Sequence, residues 1–299
     1  MLALCCQKEL NVDIVNVNPK LVINTLFNPD STWSVDLTRN GNILDVNPNY
    51  PTVKDALVTI FDQNNQTVET LSYVAIKNPQ QQFSPVERGV YKGKTKPIAD
   101  QVYSIKVDVN NEIGAQAISH TPIPIQINLL EIDSSYLQSD KRVGMKIAFS
   151  DPIGTQNYYQ IKILKKTKTT QAYTTSTGKK DTIRTIFETE IPFESIGETP
   201  IITGGNILLD TYFNGKMKTM QLHVYPRDPY STSSYKQEFY DYRIVLMNLG
   251  EEYYKYYSSI GLYNDTRDNP LAQPVQIFSN VENGFGIFAG YGATKVRIR

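Results

Sequence analysis

The chain has 299 residues, of which 30 are lysine or arginine and 30 are aspartate or glutamate, so its formal net charge at pH 7 is zero. This balance excludes the basic surface typical of nucleic-acid-binding proteins, and a hydrophobic fraction of 40% excludes wholesale disorder. A chain of this length predicts about two domains. With 20 tyrosines and only two histidines, the composition favours β-strands and offers little imidazole for catalysis.

The first six residues form a short apolar run, M-L-A-L-C-C, which ends in the two cysteines of the chain. The run is too short for the apolar core of a signal peptide, and crossing a bilayer takes roughly 20 residues. It is either the end of a secretory signal, with Cys6 as the lipidated first residue of the mature protein, or an ordinary start with two free thiols. We favour the first interpretation and predict that residues 1–19 are a lipoprotein anchor and flexible lead.

Short segments that alternate apolar and polar residues fill the chain from residue 20 to residue 122. This period of two, with many β-branched and aromatic residues, predicts strands. The segments are 21–27, 33–38, 56–61, 68–74, 102–109 and 115–118. Turn-forming Asn, Pro and Gly separate them, as in Asn28-Pro29 and Asn40-Gly41. Residues 20–122 are therefore predicted to form an immunoglobulin-like antiparallel β-sandwich.

Two prolines in Thr121-Pro122-Ile123-Pro124 mark the predicted joint between domains, because proline ends a strand and stiffens a connection. A second series of longer strand-like segments follows, and it predicts a larger β-sandwich or partly closed barrel over residues 123–299. Within it, Asn214-Gly215 predicts a β-hairpin between the strand-like runs on either side. The Thr-rich, basic stretch from Lys165 to Lys180 predicts a hairpin tip or a loop.

One segment has the spacing of a helix. Gly250 is followed by Glu251 and Glu252, and acidic residues suit the first turn of a helix. Apolar residues then recur three and four apart, which predicts one apolar stripe, and Gly261 is the predicted end. The tyrosines of this stripe are either a ligand platform or part of the packing against a sheet, and we favour packing.

Catalytic motifs are scarce. His120 and His223 are the two imidazoles, and the chain contains no G-x-S-x-G or H-E-x-x-H, so a histidine-based active site is not expected. Gly284-x-Gly286-x-x-Ala289 matches a relaxed dinucleotide fingerprint, but no helix-like segment follows it and no acidic residue lies about 20 residues on. We interpret the glycines at 284, 286, 290 and 292 as structural positions where backbones approach closely.

Two polar segments of the second domain, 230–235 and 264–269, combine predicted exposure with adaptable polar side chains. The candidate binding residues are Tyr230, Tyr235, Asp265 and Asp268. The alternative is that both segments are solvated connections. A calcium site at residues 265–269 is another interpretation, but the segment lacks the ligand spacing of an EF-hand calcium loop. No metal or other cofactor is therefore predicted.

Three stretches resemble one known family. Cys6-Gln7-Lys8-Glu9 looks like the anchor of a Bacteroidota lipoprotein. Residues 20–35, K-L-V-I-N-T-L-F-N-P-D-S-T-W-S-V, resemble the opening of the DUF4249 family, envelope proteins of that phylum. Residues 274–289 resemble the closing S-N-x-x-N-G-x-G-x-F signature of the same family, and the tyrosine-rich helix fits the usual lead into it. The resemblance brackets the whole chain.

The resemblance implies a secreted lipoprotein of a family often encoded beside TonB-dependent outer-membrane transporters, with an accessory or substrate-capture role. It implies no catalytic residues. We therefore predict a non-enzymatic protein of the cell envelope, anchored to the outer membrane through Cys6. It would serve as a binding or accessory subunit of such a transporter in nutrient uptake, with a small-molecule or glycan ligand and no nucleic acid. The alternatives are a glycan-active hydrolase and a surface adhesin or assembly protein.

Overall fold

The computed structural model describes residues 19–41, 50, 52–76, 88–133, 142–196, 207–225, 231–269 and 271–298. Within these ranges the chain forms two β-sheets and one α-helix. The strands are β1 (Leu21–Phe27), β2 (Ser34–Arg39), β3 (Leu57–Asp62), β4 (Thr67–Ala75), β5 (Gly89–Lys92), β6 (Gln101–Asp108), β7 (Ala115–Thr121), β8 (Ile127–Asp133), β9 (Val143–Ser150), β10 (Tyr158–Thr174), β11 (Lys180–Ile191), β12 (Phe193–Ile196), β13 (Ile207–Leu209), β14 (Met217–Val224), β15 (Tyr235–Leu249) and β16 (Phe285–Ile298). The helix α1 (Glu251–Thr266) lies between β15 and β16, and a short 3-10 helix, Asp210–Tyr212, follows β13. The prediction of an all-β fold with one short helix is confirmed, and the described strands close no barrel.

Strands β1 to β7 enclose the first core. Their order in the sheet is β1-β2-β5-β4-β3-β6-β7. Strand β4 pairs with β3 through residues 67–71 and with β5 through residues 72–75, so the sheet passes around the core. Trp33 is fully buried at the centre, with its ring centroid 5.0 Å from those of Phe27 and Tyr103. Such tilted and edge-on aromatic pairs add to the free energy gained from burial.

The last strand of the chain completes this first core. Strand β16 pairs in parallel with β1, from Val22 opposite Phe285 to Phe27 opposite Gly290. Phe288 is fully buried against Phe27, with ring centroids 4.5 Å apart. The other end of β16 pairs with β15, so this strand joins the two halves of the larger sheet. The predicted boundary at residues 122 and 123 stays a prediction, with β16 contributing to cores on both sides of it.

The second core lies between the two sheets. Strands β12, β14, β9 and β8 form a four-stranded sheet, whose inner face packs against the paired strands β10 and β15. Phe149 and Tyr159 meet across this interface, with ring centroids 4.9 Å apart. Tyr159 donates a hydrogen bond to Asp151 at 2.5 Å, and burial together with this bond raises the pKa of the tyrosine well above its usual value.

The predicted hairpin at Asn214-Gly215 is wrong. A turn does occur there, with Gly215 at φ +70°, but β13 pairs with β10 whereas β14 pairs with β9 and β12 in the other sheet. The 3-10 helix redirects the chain between the sheets. The N–H of Gly215 donates to the buried carboxylate of Asp151 at 2.8 Å. A contact with a residue 64 positions earlier thus orients the turn, and a dipeptide pattern does not reveal it.

Two further predictions are corrected in part. The stretch from Lys165 to Lys180 is mostly strand, because β10 continues to Thr174 and only residues 175–179 form the hairpin tip. Helix α1 begins where predicted but continues past Gly261 to Thr266. Glycine inside a helix costs only about 1 kcal/mol relative to alanine, which is too little to end it. The packing interpretation of the stripe is confirmed, since Tyr253 is buried among residues of β10, β15 and β16.

The structural interpretation of the four glycines is confirmed. A Cβ added at Gly284 would lie 2.6 Å from the carbonyl oxygen of Leu21, and one at Gly292 would lie 2.5 Å from that of Pro122. Gly290 would meet the backbone of β7 in the same way. Gly286 combines such an overlap, with the carbonyl of Ile23 in β1, with a φ of +99° that side-chain-bearing residues rarely adopt. Glycine is required here for close strand packing.

Candidate ligand-binding cleft between the two cores

The structure separates the binding residues predicted from the sequence. Cys6 and Tyr230 lie outside the described residues. Tyr235 is the first residue of β15 and is half-buried, and its N–H donates to the hydroxyl of Thr232 at 3.1 Å. Asp265 lies on α1 rather than in a loop, because the helix continues to Thr266. Asp268 lies in the turn after the helix, exposed and 3.5 Å from Arg267.

Tyr235 and Asp265 do not share a site. Strand β15 carries the chain about 46 Å from Tyr235 to α1 at roughly 3.3 Å per residue. The helix can bring the chain back by only about 25 Å before Asp265. The two side chains are thus on the order of 15 Å or more apart. Nor does any group of three or more His, Cys, Asp or Glu side chains among the described residues have an arrangement suited to a metal ion.

A cavity of about 580 Å³ lies where the two cores meet, and we call it the junction cleft. Four parts of the chain line it: the turn before β6 with the end of β7, the predicted joint 122–125, the loop 152–157 before β10, and the passage from β15 into α1. Because the two prolines at the joint carry the chain across this junction, the predicted domain joint forms one wall of the cleft.

Among the described residues, the cleft lining contains three carboxyl groups and no lysine or arginine. Asp100 precedes β6, whereas Glu251 and Glu252 occupy the first turn of α1, where the helix dipole favours negative charge. Glu251 forms an ion pair with Lys255 one turn later, at 2.8 Å, and this hydrogen bond raises the pKa of Lys255. The cleft therefore presents mainly hydrogen-bond acceptors.

Buried neighbours hold the carboxylate of Glu252 in place. The hydroxyl of Ser119 donates to it at 2.8 Å and accepts from the N–H of Gly290 at 3.2 Å. The N–H of Gly250 in turn donates to the carbonyl of Gly290 at 3.0 Å. Strands β7 and β16 thus anchor the start of α1, and the acidic wall of the cleft is pre-organised by the sheet below it.

The histidine at the cleft is not part of a nucleophilic triad with its neighbouring serine. His120 lies 3.1 Å from Asp100, and both side chains are exposed, to 44% and 68%. Ser119 precedes His120 in β7, and successive side chains of a strand point to opposite faces. The Ser119 hydroxyl is therefore directed inward to Glu252 rather than to the imidazole. An exposed pair of this kind contributes at most about 1 kcal/mol to stability.

Asn248 is the residue of the cleft that the sequence reasoning missed. It is only 4% exposed, and its side-chain N–H donates to the carbonyl of Ile123 at 3.1 Å. Its Oδ1 has no hydrogen-bond partner among the described residues. A buried acceptor without a partner costs about 1–3 kcal/mol. The sequence feature that could have identified Asn248 is its position as the one polar residue in the apolar run 244–249, I-V-L-M-N-L.

Aromatic and aliphatic groups form the rest of the surface. Tyr158 stacks on Tyr254 of α1, with ring centroids 4.3 Å apart and planes at 14°. Burial raises the pKa of Tyr158, and the carboxylate of Glu251 adds to the rise, so its hydroxyl stays protonated. Ile123, Ile125 and Leu249 complete the apolar lining. Apolar surface with a few placed polar groups is the usual composition of a small-molecule site.

These features define an all-β protein with two cores, a shared strand β16 and an acceptor-rich cleft between the cores. The model of the family described as a domain of unknown function (DUF4249) matches residues 7–297, so the chain belongs to the DUF4249 family, as its opening and closing segments predicted. A comparison with curated proteins found no match. Among the described residues, no helix has both the length and the apolar character needed to span a bilayer.

The structure explains two of the three stretches that carry the family resemblance, and residues 6–9 lie outside the described residues. The opening segment contains β1 and the closing segment contains the start of β16, and these two strands pair in parallel. The side chain of Asn280 donates to the carbonyls of Ile118 and Phe288 and accepts from the N–H of Phe288. Asn283 has a φ of +58° in the turn before Gly284. The signature residues are thus accounted for by the closure of the first core.

Proposed function

We propose that this protein is a non-enzymatic ligand-binding protein of the cell envelope and that the junction cleft takes a small ligand rich in hydrogen-bond donors, foremost a glycan. The acceptor-rich lining carries the proposal: it contains the carboxyl groups of Asp100, Glu251 and Glu252, together with Asn248, whose buried Oδ1 has no partner among the described residues. A polyhydroxylated ligand supplies donors at several positions, whereas a phosphate or carboxylate ligand would be repelled.

The apolar lining supports a sugar over a bare cation. A pyranose has apolar C–H faces as well as hydroxyls, and Ile123, Ile125 and the ring of Tyr158 provide apolar surface beside the carboxylates. The acidic groups would add affinity for an amino sugar through charge. The ligands that fit the cleft are therefore sugar rings with several hydroxyl groups, either neutral or carrying an amine.

The envelope part of the proposal comes from the resemblance described above. In it, Cys6 carries a lipid that anchors the protein to the outer membrane, and a TonB-dependent transporter receives the ligand from the cleft. Several acyl chains on one cysteine would suffice for stable anchoring.

Calorimetry with the full chain tests the cleft, using a panel of neutral oligosaccharides and their amino-sugar counterparts. Asp100→Asn and Glu252→Gln keep the size of each side chain and remove its charge, so each should weaken binding about tenfold or more. Asp265→Asn is the matched control, since this exposed acid lies on α1 away from the cleft lining. Binding that is absent throughout the panel, or that weakens equally in Asp265→Asn, would overturn the assignment of the cleft.

The transporter association is tested separately by a tagged pull-down from native outer membranes in mild detergent. We expect a transporter in near-equal amount by mass spectrometry, and loss of both membrane retention and recovery in Cys6→Ala. Recovery of the protein alone would refute a stable complex while leaving the ligand assignment intact.

A glycan-active hydrolase is the second candidate, because carboxyl groups from two different segments, Asp100 and Glu251–Glu252, line one cleft. Glycoside hydrolysis requires such a pair at a defined spacing. Incubation of the calorimetric ligands with the protein distinguishes the two functions: new reducing ends that disappear in Asp100→Asn would establish hydrolysis, and intact ligand would support binding.

A further inference from the structure

Among the described strands, β11 forms an edge of the larger sheet. The sheet order begins β11-β10-β15, and within the described part of the chain β11 pairs with β10 alone. All of its 12 residues except Ile191 are exposed. An edge strand presents unpaired N–H and C=O groups, and natural proteins usually shorten, bend or interrupt such edges. Strand β11 contains no proline, and the pairing between β10 and β11 continues without a bulge over its whole length.

The outward backbone groups of β11 can be assigned. The hydroxyl of Thr169 reaches the carbonyl of Thr185, its direct partner in β11, at 3.3 Å, so the backbone of Thr185 faces β10. Backbone groups of successive residues in a strand point alternately to the two neighbouring strands. In β10, the N–H of Ala172 donates to the carbonyl of Ser234, on the side away from β11, so the odd-numbered residues of β10 face β11. The N–H and C=O groups that face outward from β11 therefore belong to its even-numbered residues, Lys180, Thr182, Arg184, Ile186, Glu188 and Glu190.

Apolar side chains along this edge are also exposed. Ile183 is 53% exposed, Ile186 is 52% exposed and Phe187 is 38% exposed. On the same face as Ile183 and Phe187, the register places Phe239 of β15, which is exposed as well. A long unpaired edge with exposed apolar side chains is a surface that another strand would cover.

The charges of β11 show which strand fits. Its first half carries Lys180 and Arg184, and its second half carries Glu188 and Glu190. Asp181, the exception, accepts a hydrogen bond from the N–H of Thr182 within its own strand. Both glutamates also form ion pairs within the chain, Glu188 with Arg243 at 2.8 Å and Glu190 with Lys162 at 3.2 Å. In an antiparallel pair of two copies of β11, the basic half of each strand lies opposite the acidic half of the other. Opposite charges across a strand pair are stabilising, and like charges are destabilising.

We propose that β11 pairs antiparallel with β11 of a second copy of this chain, with Ile186 opposite Ile186 on the two-fold axis. Arg184 then lies opposite Glu188 twice, once on each side of the axis, and the outward backbone groups of the even-numbered residues are paired. Centring the pair on Arg184 or on Glu188 would instead place like charges opposite each other. The interface is isologous, as expected for a closed dimer, and it makes one continuous sheet across both copies.

Sedimentation velocity and native mass spectrometry of the full chain test this dimer over a range of concentrations. The wild-type protein should be dimeric at micromolar concentration. Ile186→Lys places two ammonium groups at the two-fold axis and should make the protein monomeric. The control is Ile98→Lys, because Ile98 is 65% exposed and does not belong to β11, and this change should leave the dimer intact. Circular dichroism checks that both variants fold. A monomeric wild type, or a dimer that persists in Ile186→Lys, would overturn the proposal.

Charge reversal tests the register. Arg184→Glu and Glu188→Arg each oppose like charges twice and should raise the dimer Kd at least about tenfold. Mixing these two variants restores both opposite-charge pairs, so a heterodimer should form with a Kd close to that of the wild type. Glu190→Arg is the matched control, because Glu190 faces the uncharged Thr182 in this register. Failure of the mixture to form heterodimer, or disruption by Glu190→Arg alone, would refute the register.

Discussion

Replacing Gly286 with alanine should be among the most destabilising single changes in the first core. The backbone at Gly286 has a φ of +99°, and a Cβ would overlap the carbonyl of Ile23 in the paired strand β1. A non-glycine residue in such a conformation costs about 1–3 kcal/mol. Backbone displacement to relieve overpacking adds about 1–3 kcal/mol. The reduced freedom of the unfolded chain returns only about 0.4–1 kcal/mol. We expect a net loss of about 1–5 kcal/mol in the free energy of unfolding, with a midpoint of about 3 kcal/mol.

Two other glycines separate these contributions. Gly154 has a similar φ, +93°, with no atom within 4 Å of an added Cβ. Gly154→Ala therefore reports the conformational cost alone, about 1 kcal/mol after the unfolded-state gain. At Gly290, which does not have a positive φ, a Cβ would overlap the backbone of His120. Gly290→Ala therefore reports the cost of the close approach alone, about 1–2 kcal/mol after the unfolded-state gain.

Urea unfolding followed by tryptophan fluorescence is the assay, because Trp33 lies in the core that these strands close. A loss at Gly286→Ala close to the sum of the losses at Gly154→Ala and Gly290→Ala would support the reasoning. Equal, small losses in Gly286→Ala and Gly154→Ala would refute it, since close strand packing would then cost nothing.

Two further changes address the same core. Asn280→Ala removes three hydrogen bonds to the backbone of Ile118 and Phe288, and it should lower the free energy of unfolding by about 2–4 kcal/mol in urea unfolding; a loss below 1 kcal/mol would contradict this role. Burial raises the pKa of Glu69, but hydrogen bonds from Thr95 outweigh it and hold this pKa below the usual 4.5. A carboxyl with a lowered pKa in the folded state stabilises the fold above its unfolded-state pKa and loses this effect as the pH falls. The stability difference between wild type and Glu69→Gln should therefore be present at neutral pH and shrink below pH 4.5, and a difference independent of pH would contradict the assignment.

The local elements were predictable because their signals are local. Alternation along Leu21–Phe27 and the three- and four-residue spacing of tyrosines after Gly250 predict β1 and α1 from the residues of each element alone. The end of α1 was missed because one glycine is a weak stop signal. The hairpin at Asn214-Gly215 failed because the side chain of Asp151, distant in sequence, orients that turn.

The junction cleft could not be predicted in the same way, because its parts come from four separate stretches between residues 100 and 252. No spacing rule relates Asp100 to Glu252, and the position of Asn248 depends on the register of β15 between β10 and β16. The segment 264–269 was predicted to bind a ligand because its residues are polar. Polar composition indicates that residues are exposed, but it does not show which side chains lie close together in the fold. A site assembled by sheet topology leaves no continuous motif.

The parallel pairing of β1 with β16 has a consequence for biosynthesis. A ribosome makes the chain from its amino end, so Phe27, Trp33 and Tyr103 all emerge well before Phe288, the aromatic ring that completes their cluster. Until then the first half of the chain holds an apolar groove without its closing strand. Contacts so distant in sequence form late and slowly. The nascent protein thus spends most of its synthesis with an incomplete core, in the interval when a chaperone would most readily bind it.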